Sequence, residues 1–170
     1  VPGVGCSQGA GNQRRKNLLS LMDSFSRIGG EDPPVLALRT KPRGAFDLPA
    51  AAEHFGVADR VFFYPELQTE MLRALYNRSD VVVNPAYREG FGLPTLEAGF
   101  CGCSRVSAAT GGLKQQIELP GHQEVESQRS VNGEPGCPVI GEDHVHLEDL
   151  ARKMVSRIDR EFVAQEMAKE

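Results

Sequence analysis

The residues of this chain best suited to chemistry are two glutamates on either side of a glycine-rich turn. Glu89 and Glu97 are separated by seven residues, and the segment 90–94 between them reads Gly-Phe-Gly-Leu-Pro. Proline needs no amide partner in the first turn of a helix, so Pro94 predicts that a helix begins here. A glutamate in the first turn directs its carboxylate back toward the loop. Two carboxylate oxygens can accept hydrogen bonds from neighbouring hydroxyls, such as those of a ribose.

The turn itself is suited to binding a ligand through its backbone. The amides of Gly90, Phe91 and Gly92 can approach a ligand closely, because glycine permits conformations that a side chain would block. The β-branched run at 80–86 predicts a buried parallel strand immediately before the turn. Strand, glycine-rich turn and helix N-terminus, in that order, are typical of sites for phosphates and sugars. Glu89 is therefore expected beside whatever the loop holds.

Helices and strands alternate along the rest of the chain, which predicts an α/β fold: a Rossmann-like parallel sheet with helices on both faces. We expect one domain over residues 15–170, with a long loop at about 118–137. Residues 1–14 are rich in glycine and proline, which predicts an irregular segment and a missing first strand. The predicted helices are 15–28, 48–55 (capped by Asp47 and closed by Gly56), 69–77, 93–100 and 147–169, and the predicted strands are 34–38, 61–64, 81–84, 105–108 and 138–140.

An ordered series of motifs resembles family 4 of the retaining, nucleotide-sugar-dependent glycosyltransferases, over about residues 12–158. The central match is the family's E-x7-E signature with its E-G-F-G-L-P core, here at 89–97. The resemblance implies the C-terminal, donor-binding half of an enzyme with the GT-B fold. The other matching segments are R-K-N at 15–17, the helix-to-strand segment 72–80, Gly102 and Gly-Gly-Leu at 111–113.

The resemblance also implies a role for each matching residue. Lys16 would contact the donor's diphosphate and stabilise the leaving group, and Glu89 would face the transferred sugar near its anomeric carbon, so these two are the expected catalytic residues. Glu97 would bind the ribose hydroxyls. The full set of expected donor-binding residues is Arg15, Gly90, Phe91, Gly92, Leu93, Glu97, Gly111 and Gly112, with the two last forming a nest of amides around a phosphate.

Each of these assignments has a plainer alternative. Lys16 would be an ordinary solvated lysine in a basic run, and Glu89 would form a salt bridge with Arg88. Glu97 would only complement the helix dipole, which is worth about 0.3–1 kcal/mol. For Phe91, we expect the side chain to anchor the core while its amide faces the ligand.

The N-terminus departs from the family pattern. The family's first strand ends in Gly-Arg, and the arginine helps to bind the diphosphate, whereas residues 10–12 here are Ala, Gly and Asn. Either Arg14 or Arg15 would take its place, or the diphosphate would be bound more weakly than is usual in the family. The acceptor-binding N-terminal domain of the family is absent from this chain, which we expect to be a fragment or truncated product and incomplete as an enzyme alone. Without a first strand, the sheet would expose an edge.

The function implied is transfer of a hexosyl group from a nucleoside-diphosphate sugar to an acceptor hydroxyl, with retention of configuration. The family needs no cofactor and no bound metal, and no Asp-x-Asp sequence occurs in this chain. Two alternatives remain: a nucleotide-sugar-binding module without turnover, and a different enzyme on the same fold, such as a sugar-nucleotide epimerase or a glycogen-phosphorylase relative. The sugar, the base and the acceptor stay open.

Charge, apolar runs and cysteine spacing indicate which classes of partner and which cellular compartment fit this chain. A net charge of −4 argues against nucleic acid as a partner. No apolar run approaches the roughly 20 residues that span a bilayer, and no signal peptide is recognisable before Val1. The four cysteines have no metal-ligand spacing, which fits a reducing, cytoplasmic setting. Peripheral membrane association through the acceptor half is compatible with these features.

Overall fold

The computed structural model describes residues 4–8, 11–29, 31 and 33–125, and a six-stranded sheet lies at its centre. Every neighbouring pair of strands is parallel, which confirms the predicted α/β fold. The strands are β1 (Val4–Gln8), β2 (Val35–Arg39), β3 (Val61–Phe63), β4 (Val81–Asn84), β5 (Ser104–Ala108) and β6 (His122–Val125). Their order in the sheet is β3-β2-β1-β4-β5-β6. Successive strands are added on one side of β1 up to β3, and β4 then starts the other half on the opposite side of β1, so the order of addition switches between β1 and β4. Ligands of open α/β sheets bind at such a switch point, outside the carboxyl ends of the strands.

Five α-helices and two short 3₁₀ turns connect the strands within the described residues. The Asp47 carboxylate accepts a hydrogen bond from the Ala50 amide at 3.2 Å and caps α2 as predicted. The single helix predicted over 15–28 is instead a 3₁₀ turn followed by α1, because Asn17 between them adopts a left-handed conformation with φ of 56°. The helices are α1 (Leu18–Ser26), α2 (Leu48–His54), α3 (Thr69–Arg78), α4 (Leu93–Phe100) and α5 (Leu113–Ile117), and the 3₁₀ turns are Arg14–Lys16 and Ala58–Arg60.

Helices cover both faces of the sheet, and alternate strand residues form the two cores. On one face, Val81 and Val83 of β4 pack with α1 and α2 in the larger cluster. On the other face, Val82 packs with Tyr76 of α3 and Ala98 of α4. Each residue of β4 is buried, as expected of a central parallel strand.

The N-terminal segment differs from the sequence prediction. Residues 4–8 are not irregular: they form β1, which pairs with β2 on one side and β4 on the other, so the first strand is present. A central strand needs amide donors and carbonyl acceptors along its length, and the sequence Val-Gly-Cys-Ser-Gln supplies both because it contains no proline. The glycine that weakened the prediction keeps its backbone hydrogen-bonding groups. The edge expected from a missing first strand therefore does not exist.

The loop predicted over 118–137 is also interrupted. His122–Val125 forms β6, which extends the sheet beyond β5 in parallel register. The remainder of that loop, the strand predicted at 138–140 and the helix predicted at 147–169 lie outside the described residues. None of the helices in the described part of the chain combines the length and apolar composition that a bilayer-spanning helix requires.

Candidate functional site

An ion pair between Lys16 and Glu89 lies where the turns after β1 and β4 meet. The two strands are parallel neighbours, so their carboxyl ends open onto the same edge of the sheet. The Lys16 ammonium Nζ lies 2.6 Å from Glu89 Oε2 and donates a hydrogen bond to it. The Lys16 side chain is only 4% exposed and that of Glu89 11% exposed. Lys16 is therefore not a solvated lysine, and Glu89 pairs with it and not with Arg88.

Arg15 joins this pair, whereas Arg14 does not. The Arg15 guanidinium Nη1 lies 4.0 Å from Glu89 Oε1 and donates to the Arg88 carbonyl at 3.1 Å. Its Nε donates to the Gln13 side chain at 2.8 Å, which fixes the guanidinium over the loop. The Arg14 guanidinium lies 5.4 Å from the centre of the Phe46 ring. Of the two arginines, only Arg15 is placed to share an anion with Lys16.

The surroundings of Glu89 keep its carboxylate ionised. Partial burial by itself would raise the pKa of Glu89. The hydrogen bond and positive charge of Lys16, the Gly90 amide at 3.1 Å and the charge of Arg15 act in the opposite direction and hold this pKa below its ordinary value. At neutral pH, Glu89 is therefore a carboxylate that faces two cations.

Backbone and amide contacts fix the two turns against each other. The Asn17 side chain donates from Nδ2 to the Pro85 carbonyl at 3.1 Å, and the Tyr87 amide donates to the Arg15 carbonyl at 2.9 Å. At the end of β4, Asn84 Nδ2 donates to Thr95 Oγ1 of α4 at 3.2 Å. The sequence analysis does not identify these asparagines as site residues, although an asparagine at the end of a buried strand, as Asn84 is, is a usable signal.

Gly111 and Gly112, in the turn after β5, lie directly against the loop that carries Glu89. A Cβ on Gly111 would sit 1.7 Å from the Glu89 carbonyl oxygen, and one on Gly112 would sit 2.5 Å from that of Gly90. The Gly112 amide donates to the Gly90 carbonyl at 2.7 Å. These glycines thus support the loop, and the Gly112 amide is already engaged in this contact. Direct binding of a phosphate by this pair stays a prediction.

The motif helix α4 begins as the sequence predicts. Gly92 precedes it with φ of 77°, in the left-handed region that favours glycine, and Leu93 is its first residue. The Phe91 side chain is 51% exposed, so the prediction that it anchors the core is wrong. Leu93 is also exposed. The exposed side chains of Phe91 and Leu93 thus lie on either side of Gly92, where the loop joins α4.

Glu97 has surroundings that differ from those of Glu89. Because α4 starts at Leu93, Glu97 is its fifth residue and lies just beyond the first turn, which contains no acidic residue. The Glu97 side chain is exposed, and its Oε2 accepts a hydrogen bond from the buried Tyr76 hydroxyl at 3.1 Å. Tyr76 was not predicted as a site residue. Lys16 in the turn after β1 thus contacts the Glu89 carboxylate, whereas Tyr76 of α3 contacts that of Glu97.

Within the residues described, no group of three or more His, Cys, Asp or Glu side chains is arranged to hold a metal ion. The polar groups at the carboxyl edge are instead two cations, two carboxylates and the backbone of a glycine-rich loop. This set can bind an anionic ligand that also carries hydroxyl groups.

A site of this kind at the switch point of a parallel sheet is typical of α/β proteins that bind anionic ligands, and comparison with known proteins identifies the family. The sequence model of the family described as glycosyl transferases group 1 matches residues 13–129. This chain therefore belongs to the glycosyl transferases group 1, whose members have the GT-B fold.

Individual relatives agree with the family. The D-inositol 3-phosphate glycosyltransferase of Salinispora tropica is 39% identical over 98 residues, which cover 54% of this chain and 20% of that protein. The protein of the same name from Mycolicibacterium smegmatis is 34% identical over 113 residues, which cover 66% of this chain and 22% of that protein. This chain thus spans about a fifth of the length of these relatives.

Solved structures share the fold. The C-terminal domain of a glycosyl transferase group 1 family protein from Francisella tularensis is similar with a TM-score of 0.58 and 18% identity, over 73% of this chain and 69% of that one. The sequence expectation of a glycosyltransferase-type α/β domain is therefore confirmed.

Proposed function

We propose that this chain is the donor-binding half of a retaining glycosyltransferase, which transfers a hexosyl group from a nucleoside-diphosphate sugar to an acceptor hydroxyl. The observation that carries the proposal is the buried Lys16 ammonium, 2.6 Å from Glu89 at the switch point of the sheet. Burial of an ammonium is costly unless an anion accompanies it. In the structure that anion is Glu89, and the Arg15 guanidinium beside the pair adds a second cation, so this edge keeps a net positive charge for an anionic ligand.

In this proposal, Lys16 and Arg15 bind the diphosphate. Glycosyl transfer leaves negative charge on the departing phosphate oxygen, and fixed cations in a partly dry site stabilise that charge as it develops. Arg15 replaces the arginine that the family pattern places near residue 11, because its guanidinium reaches the Glu89 loop whereas that of Arg14 lies over Phe46. Because the two cations and the loop amides neutralise the diphosphate, we propose that no metal or other cofactor takes part.

Glu89 acts at the sugar. Its low pKa keeps it negatively charged, and a carboxylate beside the anomeric carbon stabilises the oxocarbenium character of the transition state. The amides of Phe91 and Gly92 and of the first residue of α4, Leu93, bind sugar hydroxyls and phosphate oxygens, while the Gly90 amide at 3.1 Å holds the Glu89 carboxylate beside them.

Glu97 binds the ribose. One carboxylate oxygen is held by the Tyr76 hydroxyl, which fixes the side chain on the solvent side of α4. The other oxygen can accept a hydrogen bond from a ribose hydroxyl. A charge-assisted hydrogen bond of this kind contributes about 1.5–3 kcal/mol.

The acceptor site belongs to a separate N-terminal domain of the full protein in this proposal. The relatives named D-inositol 3-phosphate glycosyltransferase match this chain over about a fifth of their own length, so we assign the choice of acceptor to a part of the protein outside this chain. We place the protein in the cytoplasm, since neither Cys101 nor Cys103 forms a disulfide bond within the described residues. Contact with a membrane, where it occurs, would then involve the acceptor half.

Calorimetry against UDP, GDP and ADP, each with and without an attached hexose, tests the proposal. We expect one of these ligands to bind the chain and Glu97→Ala to weaken that binding by about 1–3 kcal/mol. Glu53→Ala, which removes an exposed glutamate from α2, is the matched control and should leave the affinity unchanged. Equal affinity of both variants would remove the ribose assignment. Binding without transfer, once the acceptor domain is supplied, would favour a module without turnover.

A further inference from the structure

The buried glutamine of α5 is bonded to the loop that carries the Gly-Phe-Gly motif. Gln116 is 3% exposed, and its Nε2 donates hydrogen bonds to the carbonyl oxygens of Phe91 and of Gly92, the latter at 3.3 Å. Neither the family motifs nor the chemistry proposed above uses this residue. Its own carbonyl oxygen, Oε1, is buried and has no hydrogen-bond partner among the described residues.

The side-chain packing of Gln116 does not account for a glutamine at this position. An apolar side chain of similar length would fill the space and leave no unpaired oxygen, which is costly in a buried position. The two hydrogen bonds that Nε2 donates are what an apolar residue could not provide. Both of them end on the backbone of the motif loop.

These bonds complete a row of three carbonyls that are held from the α5 side. The Gly112 amide holds the Gly90 carbonyl at 2.7 Å, and Gln116 holds that of Phe91. The Gly92 carbonyl accepts from Gln116 at 3.3 Å and also from the Thr95 and Leu96 amides of α4 at 3.0 and 3.2 Å, so Gln116 and α4 hold it together. In a planar trans peptide, the carbonyl and the following amide point in opposite directions. The amides of Phe91, Gly92 and Leu93 are therefore turned away from α5. No described residue accepts a hydrogen bond from any of the three.

His122 fixes α5 in this position. The His122 ring nitrogen Nδ1 lies 2.9 Å from the main-chain carbonyl oxygen of Gln116. It must donate a hydrogen bond to that oxygen, since a carbonyl only accepts. The other ring nitrogen of His122, Nε2, lies 2.5 Å from the Ser107 hydroxyl of β5. The last turn of α5 is thereby tied to β5 and β6, so the Gln116 side chain projects from a fixed base.

We propose that Gln116 is a positioning residue for donor binding: it orients the peptide units after Phe91 and Gly92 so that their amides face the phosphate and sugar oxygens of the ligand. The proposal rests on the proposed function for the identity of the ligand. It adds that a residue outside the motif, which itself never touches the donor, sets the geometry of the amides.

The test compares Gln116→Glu with Gln115→Glu. The first change replaces the donor group by an acceptor of the same shape, facing two carbonyl oxygens. The second adds the same charge to the same helix at the exposed neighbouring residue.

The probes are UDP-glucose and GDP-mannose, each measured beside its nucleoside monophosphate, which lacks the distal phosphate and the sugar. We expect Gln116→Glu to raise the Kd of the nucleotide sugar by about tenfold or more, with the Kd of the monophosphate within about twofold. Gln115→Glu should change neither.

A uniform loss of affinity for nucleotide sugar and monophosphate would mean that Gln116 only supports the fold, and would overturn the proposal. Unchanged affinity would overturn it as well. Gln116→Met, which removes the donors without adding charge, serves where the glutamate variant does not fold, and its thermal midpoint separates destabilisation from misplacement of the loop.

A ligand-free measurement keeps the inference independent of the proposed function. Residual dipolar couplings report the orientation of the amide N–H bonds of Phe91, Gly92 and Leu93. We expect the coupling of Gly92 and, to a smaller extent, that of Leu93 to change in Gln116→Met. Those of α1 and of Phe91, whose peptide the Gly112 amide holds, should stay unchanged. If no probe binds the wild-type chain, the proposed function fails, yet unchanged couplings would still refute the positioning role and altered ones would support it.

Discussion

Removal of the Lys16 ammonium should destabilise the fold much more than loss of an ordinary surface charge. Lys16→Met keeps an unbranched side chain of similar length but leaves the Glu89 carboxylate without its closest cation. The pair is short, at 2.6 Å, and both side chains are largely buried. Glu89 retains only the Gly90 amide and the more distant Arg15.

The structure sets the expected size of this effect. Removal of one partner from a buried ion pair costs about 3–5 kcal/mol. Glu89 keeps some contact with water and a second cation, so we expect a cost about 1 kcal/mol below that range, about 2–4 kcal/mol, for Lys16→Met. In a double-mutant cycle with Glu89→Leu, the coupling free energy should be about 1.5–3 kcal/mol, because the contact is a charge-assisted hydrogen bond.

The chain supplies its own control for this cycle. Asp23 and Arg27 form an exposed i,i+4 pair at 3.1 Å at the end of α1, for which about 0.3–0.5 kcal/mol is expected. Urea unfolding at neutral pH, followed by circular dichroism, gives both coupling energies under the same conditions. A Lys16–Glu89 coupling no larger than that of the control pair would refute the view that this is a buried, functional ion pair.

Two further predictions concern the same loop. Gly111→Ala should lower the free energy of unfolding by more than about 1–2 kcal/mol, because φ is 51° and the new Cβ would meet the Glu89 carbonyl oxygen. Gly29→Ala, which has open space around its Cβ, is the control and should change the free energy of unfolding by no more than about 0.5 kcal/mol. Equal effects of the two substitutions would contradict the structure. Folding lowers the pKa of Glu89, so the contribution of its ionised carboxylate to stability is present above about pH 4.5 and is lost as the pH falls below that value. Urea unfolding of the wild type and of Glu89→Gln between pH 3 and 7 should show that the difference between their free energies of unfolding shrinks with acidification. A difference that stays constant over this range would argue against the ion pair.

Local signals predicted the motif region well. The bounds of β4 and α4 match the sequence prediction, since a β-branched run is followed by glycine, then proline and a helical segment. The first strand was misjudged because glycine and serine carry little strand preference, whereas β1 is defined by pairing on both sides with β2 and β4. Such pairing depends on residues far apart in the chain, and no local pattern reports it.

The same distinction applies to the site. The sequence identified Lys16 and Glu89 individually, but not their contact, because 73 residues separate them. The Gln116 side chain reaches the motif loop from a five-residue helix that the sequence analysis does not predict, and the local signal before this helix is the Gly111-Gly112 pair. Only the approach of the turn after β5 to the turn after β4 brings it there, and that approach requires Gly111 and Gly112.

The central claim is that the turns after β1 and β4 form one binding site for a nucleotide sugar. Titration of the isotope-labelled chain with UDP-glucose and GDP-mannose, followed through backbone amide signals, tests it most directly. We expect saturable shifts in Arg15, Lys16, the segment 89–93 and Glu97. Saturable shifts confined to the opposite edge of the sheet, or no shifts with any nucleotide sugar, would contradict it.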